Sequence, residues 1–236
     1  MATRLCNVVV DAAAPAAVGR FWARLLGLTA VVEDDGEVGV ALGGGLDLVF
    51  VPVPEPKKVK NRVHLDLASA SEGDQRAIVS RAEALGARRV DIGQRGVPWV
   101  VLADPEGNEF CVLEPRDEYL DLGPVAAIVV DALDPRASAV FWSHATGLPL
   151  ARSHDEFASL RPETGPWLEF VRTTTPKSVK NRVHLDVAPG PGGDTRHEVA
   201  RLESLGARRA DVGQSAVRWT VLSDPESHEF CVLTPR

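Results

Sequence analysis

The sequence predicts an α+β fold of four βαβββ modules arranged as two tandem copies. Two observations carry this reading: a repeat at one fixed offset, and a strand-helix-strand-strand-strand order that restarts inside each copy. The stretch KNRVHLD stands at 60–66 and again, letter for letter, at 180–186. The offset between His64 and His184, 120 residues, also carries Phe21-Trp22 onto Phe141-Trp142, and LGARR at 85–89 onto 205–209. It carries DPEGNEFCVL at 104–113 onto DPESHEFCVL at 224–233. Solenoid repeats have periods of about 20–50 residues. A longer offset describes two domains, 1–117 and 118–236, which meet in the charged, proline-flanked stretch EPRDEYLDLGP.

Within the first copy, RLCNVVVDAAAP alternates like a strand and runs into a helix. Pro15 stands in that helix's first turn, Val18, Phe21, Trp22 and Leu25 recur at helical spacing, and Gly27 ends it. TAVVEDDG, EVGVALGG and LDLVFVPV follow as strands, with Glu33-Asp34-Asp35 as a solvated hairpin turn and the glycines at 43–45 as another. After PVPEPKK the order restarts. NRVHLDL is a strand, QRAIVSRAEALG a helix ending on Gly86, and RRVDIG, WVVLAD and NEFCVLEP are strands.

Composition excludes several functions. Hydrophobic residues make up 44% of the 236, enough for sizeable cores. Acidic residues number 33 against 26 basic ones, and no basic cluster alternates with aromatics, so nucleic acid is not an expected partner. No apolar run approaches the roughly 20 residues of a membrane span, and MATRLCNVVV lacks the apolar segment of a signal peptide. A soluble, cytoplasmic protein is expected. Three cysteines, an odd and sparse set, fit a reducing compartment, and the excess of arginine over lysine suggests a bacterial source. Neither GxSxG, GxGxxG nor a P-loop occurs, which argues against a serine nucleophile elbow and against nucleotide cofactors.

The paired βαβββ modules, the segments KNRVHLD and DPEGNEFCVLEP, and helices ending in Leu-Gly resemble the vicinal oxygen chelate superfamily. That superfamily includes glyoxalase I, extradiol dioxygenases, and fosfomycin and bleomycin resistance proteins; the match is nearest to its glyoxalase-like branch and covers both copies nearly end to end. The resemblance implies two tandem glyoxalase-like domains whose curved mixed sheets surround clefts. It also implies a divalent metal held by one residue from the first and one from the last strand of each module, usually His or Gln and then Glu. Those positions fall on Asn7, Val49, His64 and Cys111 in the first copy, and on Ala127, Glu169, His184 and Cys231 in the second. Neither copy keeps the full set. Glu109 and Glu229 precede the implied ligand positions by one strand repeat, as rim or structural residues.

Strand alternation puts Arg62, His64 and Asp66 on one face and Val63, Leu65 and Leu67 on the other. The apolar face meets the helices, so this trio, like Arg182, His184 and Asp186, is expected to face a cleft. Asn7, Val49 and Cys111 are expected to converge on the space of His64. Each histidine could bond its Asp neighbour or a backbone carbonyl, and each arginine could pair with that Asp or recognise an anionic or carbonyl-bearing ligand. Trp99, Trp167 and Trp219 lie on or beside concave strands, as cleft wall or as stacking platforms for a flat ligand, whereas Trp22 and Trp142 have core spacing.

Three functions follow as expectations. The first is a protein that binds a small molecule in a sheet-lined cleft without the full superfamily metal site. The alternative is a metal-dependent glyoxalase-like lyase or dioxygenase in the second domain. Glu169, His184 and Cys231 would there hold zinc, nickel, iron or manganese with an open position, and Glu169 would also serve as general base. Against that set, a buried cysteine is often only a small apolar side chain. The third is that the tandem copy serves to bury an interface, giving either a monomer with internal pseudo-twofold symmetry or a homodimer.

Overall fold

The computed structural model describes residues 3–214 and 217–236. Four βαβββ modules follow one another. The first comprises β1 (Arg4–Ala12), α1 (Pro15–Leu26), β2 (Ala30–Val32), β3 (Val38–Gly43) and β4 (Leu46–Pro52). The second comprises β5 (Val63–Leu67), α2 (Glu72–Ala84), β6 (Arg88–Arg89), β7 (Val100–Ala103) and β8 (Glu109–Val112). A short 3-10 turn, Asp117–Tyr119, precedes the third: β9 (Val125–Ala132), α3 (Pro135–Thr146), β10 (Leu150–Ser153), β11 (Phe157–Leu160) and β12 (Trp167–Arg172). The fourth comprises β13 (Val183–Ala188), α4 (Thr195–Ser204), β14 (Arg208–Arg209), β15 (Thr220–Ser223) and β16 (Glu229–Val232).

The helices start and stop where local chemistry directs. Pro15 and Pro135 open α1 and α3, and Gly27 (φ 70°) and Gly147 (φ 77°) end them in the left-handed conformation that glycine adopts without a Cβ clash. The second helix begins at Glu72, ahead of the expected start, because the Ser71 side chain accepts the backbone N–H of Asp74.

Two mixed eight-stranded sheets result, ordered β14-β15-β16-β13-β1-β4-β3-β2 and β10-β11-β12-β9-β5-β8-β7-β6. Within a module the first and last strands run parallel. At the centre of each sheet, first strands from different copies pair antiparallel, with Val9 opposite His184 in one sheet and His64 opposite Val129 in the other. The first module therefore shares a sheet with the fourth, and the second with the third. The two copies interlock, and neither encloses a cleft by itself.

This corrects the expected groupings. Asn7 and Val49 join His184 and Cys231, while His64 and Cys111 join Ala127 and Glu169. The set Glu169, His184 and Cys231 is thus divided between two sheets. The cause is that all four modules offer the same unpaired first-strand edge, whose N–H and C=O groups need a partner, so local pattern favours no particular pairing.

Alternation places the core as expected. Val63, Leu65 and Leu67, with Val8 and Val10, are buried in the main hydrophobic cluster with the helices. Trp22 meets Phe21 and Phe110 edge to face in that core, and Trp142 meets Phe141 and Phe230 in the same way. The DPE turns join the modules within each copy. Buried Asp104 accepts the Trp22 indole N–H and the backbone N–H groups of Glu106 and Asn108. The Glu106 carboxylate accepts the N–H groups of Ala13 and Ala14 at the start of α1. Asp224 and Glu226 repeat both arrangements. No helix among the described residues is long and apolar enough to cross a membrane.

Candidate functional site

Each residue of KNRVHLD now has a place. Lys60 bonds Asp131 of the other copy at 2.8 Å, and Lys180 pairs with Asp11. Asn61 donates to Asn108 at 3.0 Å and, through its backbone, to Glu109. Glu109 also pairs with Lys57 at 2.7 Å, so it is a structural anchor for this loop. Arg62 and Arg182 precede the strands and reach the opposite copy. Arg62 donates to the Pro176 carbonyl at 2.9 Å, and Arg182 donates to the Glu55 carbonyl and to Glu106 at 2.8 Å. Neither arginine pairs with the neighbouring aspartate, which corrects the expectation that they face a cleft. Both are drawn instead to acceptors on the opposite copy.

His64 and Asp66, like His184 and Asp186, do turn to the concave faces, where Cys111 and Cys231 meet them. In each triad the donor atoms lie within 4.8 Å of one another. The His Nε2 to Asp Oδ1 separations are 3.4 and 3.6 Å. Asn7 donates to Asp186 Oδ2 at 2.8 Å, yet Oδ1 of Asp186 is buried without a hydrogen-bond partner, as is Oδ1 of Asp66. Burial lowers the pKa of His184, keeping its imidazole neutral, and raises the carboxyl of Asp186. Burial first, and then the adjacent aspartate, pushes the Cys111 and Cys231 thiols far above their usual range. Asp186 thus stands where Glu169 was expected, completing an N/O/S donor set with His184 and Cys231. Such a set suits a divalent metal, and the orphaned Oδ1 is a fitting ligand atom.

The two clefts differ in occupancy. In the β5–β9 sheet, Glu169 Oε1 accepts the Tyr119 hydroxyl at 2.9 Å and the Ser159 hydroxyl at 3.2 Å, and burial raises its pKa. Tyr119, only 3% exposed, packs edge to face on Trp167 with ring centroids 5.7 Å apart. The Arg116 guanidinium lies over both Trp99 and Tyr119, and Glu118 pairs with Arg152, which lies 5.1 Å from the Trp167 ring. The link between the copies therefore fills this concave face. Trp99 and Trp167 are walls around that plug, and the Trp99 indole donates to Gln94 at 2.9 Å. Strand alternation gave no means of finding Tyr119. The available signal was an apolar trio, Tyr119, Leu120 and Leu122, inside a charged link. Tyr119→Phe is expected to lower stability by about 1–2 kcal/mol by leaving Glu169 one donor short, as read from the urea unfolding midpoint.

The β1–β13 sheet keeps its cleft open. A cavity of about 600 Å³ is lined by Asn7, Val49, His184 and Cys231, with exposed Arg218 and Arg236 and with Trp219, 41% exposed, toward solvent. At the register positions of Trp167, Ser159 and Glu169 this sheet carries Asp47, Gly39 and Val49. Glu37 also lines the cavity, its carboxyl raised by burial and then by the Asp35 and Asp186 carboxylates.

A family model described as "Glyoxalase-like domain" matches residues 7–113 and again 127–233. Among solved structures, a candidate dioxygenase from Bacillus subtilis subsp. subtilis str. 168 superposes with a TM-score of 0.67 at 14% identity, covering 99% of this chain and 86% of that one. Glyoxalase I from Zea mays gives 0.66 at 14% identity, covering 99% and 92%. These likenesses carry the fold alone. No curated protein sequence matches the chain. Two matches that together span most of the sequence mean that the chain belongs to the glyoxalase-like domain family.

Proposed function

We propose that the chain binds one small molecule, in the open cleft between β1, β4, β13 and β16. One observation carries this reading: of two related concave faces, one is filled by the link through Tyr119 while the other keeps a cavity of about 600 Å³. That volume suits a small organic ligand. Trp219 offers a flat stacking surface, and Arg218 and Arg236 offer donors to an anionic or carbonyl group.

A second reading is favoured by the unpartnered Oδ1 of Asp186: His184, Asp186 and Cys231 hold a divalent metal. Such a metal would supply Lewis acidity at an open coordination position. Glu169 has no part in it, because it lies in the other sheet and is engaged by Tyr119 and Ser159.

The test is titration with a panel of flat, anionic and carbonyl-bearing small molecules, followed by tryptophan fluorescence and thermal shift. Wild type and Glu169→Gln are expected to bind alike, with affinity falling about tenfold or more in Trp219→Ala and His184→Ala. A ligand whose binding survives both cleft variants but is lost in Glu169→Gln would overturn the assignment.

A further inference from the structure

A further cavity lies beside the open cleft, between loops of the two copies. It measures about 840 Å³, and its walls are two loops related by the repeat, 53–62 and 173–182. Lys57, Lys58, Lys60 and Arg62 line it from one loop, and Lys177, Lys180 and Arg182 from the other. Only Asp11, Glu55 and Asp131 contribute opposing charge to the lining. This concentration of cations stands out in a chain whose formal net charge is −7.

The ion pairs show which cations are already engaged. Lys57 and Lys177 pair with Glu109 and Glu229 at 2.7 and 2.6 Å, with side chains only 13% and 10% exposed, so both belong to the framework. Lys60 and Lys180 each meet one aspartate but remain 39% and 41% exposed. Among the described residues, Lys58 and Arg62 have no carboxylate partner. Arg182 bonds Glu106 and the Glu55 carbonyl, yet its Nε–H is buried without an acceptor. Uncompensated cations and an unused guanidinium donor therefore share one cavity with two exposed lysines.

We propose that this cavity is a second binding site, for a small molecule carrying two phosphate groups. Donors face it from loops on opposite walls, so charge at both ends of a ligand is met. Lysine point charges and arginine forks suit phosphate oxygens. The site is distinct from the open cleft, although Lys180 and Val212 line both cavities. Lys58 lines this cavity alone of the two, is exposed and holds no framework contact. Its counterpart in the other loop is Ser178.

Inorganic pyrophosphate titrated calorimetrically into the full chain at low salt is the test. It is expected to bind about one per chain and more tightly than orthophosphate, because two anionic groups can be met at once. Lys58→Glu is expected to weaken it about tenfold and Ser178→Lys to tighten it about threefold. Trp219→Ala, which alters only the cleft, is expected to leave it unchanged, so the failure of one site is distinguishable from failure of the other. Arg24→Glu makes the same charge change on the exposed face of α1 and serves as the control. No binding at millimolar pyrophosphate, or an equal loss in Lys58→Glu and Arg24→Glu, would overturn the proposal; the second result would mean a general charge effect.

Discussion

Asp186→Asn is expected to remove the accessible zinc site, weakening uptake on the order of 100-fold, while Glu169→Gln leaves it unchanged. The contrast follows from the pairing of strands. Asp186 shares a sheet with His184 and Cys231, and its Oδ1 is buried without a partner, whereas Glu169 belongs to the other sheet. The twin triad of His64, Asp66 and Cys111 lies in the sheet whose concave face Tyr119 fills, so uptake near one zinc per chain is expected. Protons compete with the metal for the same atoms. His184 is held neutral by burial, but Cys231 keeps its proton well above the usual thiol range and must release it on binding. Zinc affinity should therefore rise with pH. Metal content by mass spectrometry, with chelator-competition titrations from about pH 6 to about pH 8, measures both effects. Loss of zinc in Glu169→Gln with retention in Asp186→Asn would reverse the assignment, and no uptake by wild type would end the metal reading.

Asp224→Ala is expected to cost about 3–5 kcal/mol of stability, because several buried or partly buried donors lose one acceptor together. Those donors are the Trp142 indole N–H and the backbone N–H groups of Glu226 and His228, grouped around a residue only 3% exposed. The same turn places the Glu226 carboxylate on the N–H groups of Leu133 and Asp134 at the entry to α3, so the helix start would loosen with it. Asp224→Asn keeps one carbonyl oxygen and is expected to cost less, about 1–2 kcal/mol. Urea unfolding of the two variants decides the matter. Equal and small losses would show that the turn is held by its backbone alone.

The repeat, the module order and the inward and outward faces of β5 and β13 were legible in the sequence because each rests on local pattern. Val63, Leu65 and Leu67 alternate with His64 and Asp66, and a strand obliges them to take opposite faces. The meaning of Arg62 and Arg182 was not legible. Alternation extends a strand back to them, but β5 and β13 begin one residue later, and the guanidinium groups follow acceptors on a loop 114 or 127 residues away. Asp104 and Asp224 were visible as the first residues of the repeated DPE segments, whereas their role as acceptors for Trp22 and Trp142 depends on a contact across 82 residues.

The sequence by itself determined four βαβββ modules, their duplication and the polar character of the concave strands, since hydrophobic period and turn chemistry act over a few residues. Only the tertiary structure decided which modules share a sheet. It separated Glu169 from His184, brought Asn7 to Asp186, and seated Tyr119 against Glu169 while leaving the other cleft open. The physical reason is that equivalent strand edges compete for the same backbone hydrogen bonds. Their pairing is settled by packing between distant segments, which no local pattern encodes.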